Sequence, residues 1–137
     1  MQNTKLADDY LKRSELRLKA LDTLYKGAAW ADVVRESQEV VELALKALLR
    51  FFRIETPHVH DVSDILEANR EVFPLLVQKK LEVLCEHSRS LRRDRELAFY
   101  GSEDLTPSDF YREKDARRAR KAAQQTVAIV RQAAGES

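Results

Sequence analysis

Glycine is almost missing from this chain: Gly27, Gly101 and Gly135 are the only three in 137 residues. β-Hairpin turns, dinucleotide-binding turns and phosphate loops all need residues that tolerate positive φ, so these three scattered glycines exclude a Walker loop and a dinucleotide fingerprint. Proline is as scarce, with only Pro57, Pro74 and Pro107 to interrupt regular structure. The single Cys85 rules out an internal disulfide and a cysteine-based zinc cluster and fits a reducing compartment. No apolar run reaches the roughly 18 residues of a membrane span, and Met1-Gln2-Asn3-Thr4-Lys5 is followed by no hydrophobic signal core. A soluble, cytoplasmic protein is expected, with residues 1–137 as one domain that frays over about 134–137.

Charge of one sign is also lacking overall, with 24 Lys and Arg against 23 Asp and Glu. The distribution is less even than the total. Residues 1–88 hold 13 basic and 15 acidic side chains, whereas residues 89–121 hold 10 and 7. The basic clusters are Arg89, Arg92, Arg93 and Arg95, then Arg112, Lys114, Arg117, Arg118, Arg120 and Lys121. They read either as a modest basic surface or as solvated helix faces paired with Asp94, Glu96, Glu113 and Asp115.

What is abundant is helical periodicity. Leu6, Tyr10, Leu11, Leu18, Leu21 and Leu24 recur at three- and four-residue steps, which predicts an amphipathic helix over about 4–26 with Gly27 in a left-handed cap. Trp30 to Phe52 carries the widest apolar stripe and predicts a central helix. Its polar row contains Glu42 four residues before Lys46, the favourable order for an intrahelical ion pair. Thr56-Pro57 breaks the pattern. A short helix is expected from Asp61 or Val62 to about Ala68, and a third long one from Glu71 or Pro74 to about Phe99. Thr106-Pro107-Ser108-Asp109 resembles a cap followed by proline in the first turn and an acid at the third position. A last helix is therefore expected from there to about Ala133, with Ala116, Ala119, Ala123, Val127 and Val130 facing inward. Four long helices with short connections and no strand signal predict an all-α, up-and-down four-helix bundle with one additional short helix.

The chemistry-bearing residues are few. His58 and His60 are two apart and share no helix face; with Asp61 they reach a metal only from an irregular loop, and no further ligand is indicated by spacing. No metal site and no cofactor is expected; one of the two histidines is expected to fasten the loop to a helix end. His87 could act as a general base, but no nucleophile pairs with it in the sequence. Ser37, Gln38, Glu42 and Lys46 form a polar set on the central helix. Arg92-Arg93-Asp94-Arg95-Glu96-Leu97-Ala98-Phe99-Tyr100 places arginines and a phenol at the end of a helix, where guanidinium forks hold a phosphate and the ring stacks on or hydrogen-bonds a base or ribose. The same residues also suit a plain structural role, with Tyr100 capping the core and Arg95 paired with Glu96, Glu103 or Asp104.

Ala31 to Leu49, followed by Pro57 to Leu66, resembles a HEPN domain. That family has a second helix of the form Ser/Ala-Gln-x3-Glu-x3-Lys-Ala-Leu-Leu and then a turn with His-Asp; Ser37, Gln38, Glu42 and Lys46 match the first part and His60-Asp61 the second. The resemblance implies a homodimer in which an Arg-x4-6-His motif near the end of the third long helix faces a shared cleft and supports metal-independent RNA cleavage. Here Arg95 is followed at that spacing by Tyr100, not histidine, and a phenol of pKa about 10 is a poor base beside an imidazole of about 6.5. The resemblance therefore implies a nucleotide- or RNA-associated module, homodimeric and noncatalytic or weakly active, partnered by a minimal nucleotidyltransferase in a toxin–antitoxin-like pair. Arg92, Arg93, Ser37, Glu42, Lys46 and His60 are its expected binding residues. Two alternatives stand beside it: an endoribonuclease toxin using Arg95 and Tyr100 in the dimer cleft, and a purely structural dimerisation protein. In some relatives that meet a nucleotidyltransferase a tyrosine near this motif is modified, and the resemblance makes Tyr100 the candidate acceptor here.

Overall fold

A computed structural model describes residues 2–100 and 110–136, with residues 2, 3 and 91–100 described through their backbone only. The chain is all-α: α1 (Gln2–Lys26), α2 (Trp30–Phe51), α3 (Ser63–Ala68), a 3-10 turn (Arg70–Val72), α4 (Leu75–Tyr100) and α5 (Glu113–Ala134). No strand occurs among the described residues, and no helix among them is long and apolar enough to cross a membrane.

The wide apolar stripe of α2 makes it the centre. It packs against α1 and α5 most extensively and against α4 as well. Val33, Val34, Val40, Val41, Leu45, Leu48 and Leu49 are all buried along it. From α1 come Ala7, Leu11 and Leu21, and from α5 come Ala116, Ala119, Ala123, Val127, Val130 and Ala133. The small residues of α5 let its backbone approach α2 closely, while the leucines of α2 fill the remaining volume. Each leucine so buried contributes about 1.5–3 kcal/mol from removal of apolar surface from water.

Buried hydroxyls in this core are mostly satisfied within their own helix. Ser14 donates to the Leu11 carbonyl at 2.7 Å and Thr126 to the Ala122 carbonyl at 2.8 Å. Outside the core, α1 and α5 are tied by Arg131 with Glu15 and Arg120 with Asp22, and Arg117 pairs with Glu113 at 2.7 Å. Part of the second basic cluster is thus engaged in pairing rather than presented as an open basic face.

Two boundaries differ from the sequence expectation. The left-handed residue after α1 is Ala28, with φ of 56°, and not Gly27. The helix ends at Lys26 as expected and closes with the Schellman pairing, in which the Ala29 amide donates to the Leu24 carbonyl at 3.1 Å and the Ala28 amide to the Tyr25 carbonyl at 3.0 Å. This turn sets Trp30 against Tyr25 edge to face, with ring centroids 5.1 Å apart. A β-carbon in left-handed backbone costs about 1–2 kcal/mol, partly offset by the greater chain entropy of glycine. Ala28→Gly is therefore expected to raise stability by about 0.5–1 kcal/mol, read as a higher urea midpoint at unchanged slope; a lower midpoint would refute the assignment of strain.

The second difference is at the last helix, which does not begin at Thr106. Thr106 to Asp109 lie outside the described residues, and α5 starts at Glu113 after an extended Arg112 with φ of −114° and ψ of 172°. Asp115 accepts the Arg112 amide at 2.9 Å, so the capping carboxylate lies six residues beyond the Asp109 of the Thr-Pro-Ser-Asp pattern. Tyr111 is buried in the core just before it. Burial of that ring fixes where the chain must leave helical geometry, a tertiary demand that local capping preference does not encode.

Candidate functional site

Glu42 is the hub of the polar row on α2. Its side chain and that of Lys46 are only 19% and 17% exposed, and Lys46 Nζ lies 3.0 Å from Glu42 Oε2. The other carboxylate oxygen, Oε1, is 2.7 Å from His60 Nδ1. Since an ionised carboxylate only accepts, Nδ1 carries the proton, and in the neutral imidazole the acceptor lone pair is on Nε2. One carboxylate therefore orients an ammonium and an imidazole at once. The ring fastens the loop to the middle of a helix, not to its end.

The loop that carries His60 is pinned from the other side by α4. Asp61 Oδ1 accepts the Ser88 hydroxyl at 2.9 Å and the Ser63 amide at 2.9 Å. Ser88 Oγ in turn accepts the Val62 amide at 3.0 Å. These bonds account for the polar groups at the start of α3, where the chain cannot use helical partners. Around the loop is a cavity of about 500 Å³ lined by His58, Val59, His60, Asp61 and Asp64. Among the described residues no group of three or more His, Cys, Asp or Glu side chains is arranged to hold a metal ion.

Cys85, one turn before Ser88, is fully buried and its Sγ lies 3.6 Å from the Ser63 carbonyl. Burial, and then the nearby Glu67 carboxylate, push its thiol up to about 11. A thiol whose folded pKa is raised favours the folded state below its unfolded pKa, and that contribution is lost as pH rises through the folded value. Stability is therefore expected to fall between about pH 9 and pH 11. At pH 8 the native thiol is expected to resist Ellman's reagent and to react on denaturation; immediate reaction of the native protein would contradict its burial.

Ser37 and Gln38 behave differently from the other buried polar residues. They are 0% and 5% exposed, yet Ser37 Oγ and both amide atoms of Gln38 have no hydrogen-bond partner. Buried groups without a protein partner are uncommon in native cores, and each calls for a physical reason. Ser37 is not part of the Glu42–Lys46–His60 array; it points into the core from the adjoining face of α2.

Arg92, Arg93, Arg95 and Tyr100 lie on the final turns of α4, whose backbone continues helical to Tyr100; their side chains are outside the described residues. His87, half-buried, is 2.9 Å from Gln125 of α5 through Nε2, a contact between helices that sequence spacing does not reveal. Ser88 and its clamp on Asp61 were equally hidden: the partners are 27 residues apart, and only the HD dipeptide signalled the loop half.

No curated protein and no solved structure matches the chain. A family model does, over residues 7–133, and it is the model of the HEPN domain. That match covers nearly the whole chain, and the chain belongs to the HEPN domain family.

Proposed function

We propose that this HEPN domain is a nucleotide- or RNA-associated module, homodimeric and noncatalytic or weakly active, which works beside a minimal nucleotidyltransferase. The observation that carries the reading is the oriented Glu42–Lys46–His60 array. An ion pair this sheltered from water is screened less than a surface pair, so its geometry is held for use. Arg92 and Arg93 supply the phosphate contacts, Lys46 a further cation, and His60 a hydrogen-bonding edge. Ser37, expected among the binding residues, faces the core and supplies no contact of this array. The missing histidine after Arg95 is what favours binding over cleavage.

The test is titration of a labelled single-stranded RNA at two salt concentrations, with the wild type and an Arg92→Ala/Arg93→Ala variant. The wild type is expected to bind with a salt-dependent affinity, and loss of two phosphate contacts reduces the logarithmic salt slope by about 1.4 for a single strand. Absence of salt-sensitive binding would remove the reading. Metal-independent cleavage of that RNA, abolished by Arg95→Ala, would instead favour the endoribonuclease alternative, in which Arg95 and Tyr100 act across the dimer cleft. Sedimentation at micromolar concentration tests the dimer, and a strictly monomeric protein would leave no shared cleft.

A further inference from the structure

We infer that Tyr10, Arg13 and Arg50 form a second, separate phosphate-binding site on the α1 side of the bundle. The guanidinium carbon of Arg50 lies 5.4 Å from the Tyr10 ring centroid, and that of Arg13 lies 5.9 Å from the same centroid. The two cations come from different helices and converge on one half-buried phenol.

Neither guanidinium has a carboxylate partner among the described residues. This is unusual for the α1–α2 seam: Arg17 there bonds Glu36 at 2.8 Å, and Arg35 on α2 bonds Asp32 at 2.9 Å. Arg13 has Asp9 one turn before it, yet no ion pair forms between them. Arg50 has Lys46 and Arg53 at the helical neighbour positions, so its own helix offers no acid. Its Nε is buried without an acceptor, a donor withdrawn from water and left unused. Arg53, three residues on, stands in left-handed backbone with φ of 59°, strain of the kind that collects at binding sites.

Two like charges held against one ring, neither of them in an ion pair among the described residues, create a positive potential that an incoming anion relieves. Guanidinium forks match phosphate oxygens, and the cation–ring stacking keeps both forks from collapsing onto the surface. The ligand is a phosphate group carried by a nucleotide or by RNA. Tyr10 and Arg13 lie on α1, which packs on α2 and α5, and Arg50 lies on α2, whereas Arg92 and Arg93 lie on α4. The site does not depend on the role given to Arg92 and Arg93.

Full-length protein is titrated with ADP and, separately, with a 12-nucleotide RNA bearing a 5′-hydroxyl, at low salt. At least one probe is expected to bind, with about tenfold weaker affinity for Arg13→Ala and Arg50→Ala. Arg50→Lys is expected to fail to restore binding, and Lys12→Ala, an equal loss of charge one residue away, to leave it unchanged. ADP binding identifies a free nucleotide as sufficient; binding of RNA alone identifies the polynucleotide backbone. Arg13 is exposed on α1, so its variant keeps the test valid where Arg50→Ala does not fold. Wild-type affinity in both arginine variants, an equal loss with Lys12→Ala, no binding of either probe, or equal binding of polyglutamate would each overturn the proposal. Loss of binding in Arg92→Ala/Arg93→Ala with no change in the Arg13 and Arg50 variants would refute this site while leaving the α4 reading intact, and the reverse pattern would do the opposite.

Discussion

Leu48→Ala is expected to lower unfolding free energy by about 2–5 kcal/mol, a large share of the 5–15 kcal/mol typical of a domain. Leu48 is 0% exposed on the one helix that packs against α1, α4 and α5, so the lost methyl groups are missed on several sides at once. Collapse around the cavity is limited because α5 already approaches through alanines, which have nothing further to give. The urea midpoint should fall at nearly constant slope, with a drop in melting temperature of more than about 10 °C. Leu75→Ala provides the contrast: that side chain is 69% exposed at the start of α4, and the change should stay within about 0.5 kcal/mol. A cost below 1 kcal/mol at Leu48 would mean that α2 is not the centre of the bundle, and the placement of Glu42 and Lys46 on it would lose its support.

That central role was legible in the sequence because it rests on a three- and four-residue period, which records burial directly. The Glu42–Lys46 pair was legible for the same reason, as both ends lie on one helix. His60 on Glu42 was not, since 18 residues and a proline turn separate them. The two histidines of the loop look alike in sequence and are both exposed; only the fold sets His60 against a carboxylate. Helix ends were read less well than helix bodies. Gly27 drew the left-handed assignment by its residue type, whereas the position of Trp30 on Tyr25 decides that Ala28 takes it. Thr106-Pro107 drew the start of the last helix, whereas burial of Tyr111 and the Asp115 bond to the Arg112 amide set it at Glu113. In each case a local preference yielded to a packing demand formed by residues far apart in the chain. Tyr10 with Arg50 is the extreme example: forty residues separate them, and each alone reads as an ordinary amphipathic position.

Gln38→Met is expected to act in the direction opposite to most core substitutions and raise stability by about 1–2 kcal/mol. Glutamine and methionine have similar length, so the site need not repack. What changes is that two buried amide atoms with no partner are replaced by a thioether that needs none. Ser14→Ala is the matching control: its hydroxyl already donates to Leu11 at 2.7 Å, so removing it brings no such gain. If Ser37 and Gln38 are retained for a ligand or for a partner surface, the stabilised Met variant should also bind RNA more weakly, the exchange of stability for function expected at a binding position. Denaturant midpoint and RNA affinity should therefore move in opposite directions in one variant. Destabilisation by Gln38→Met would show that the amide is hydrogen-bonded in the free protein, and would take Gln38 out of the polar set that α2 holds ready.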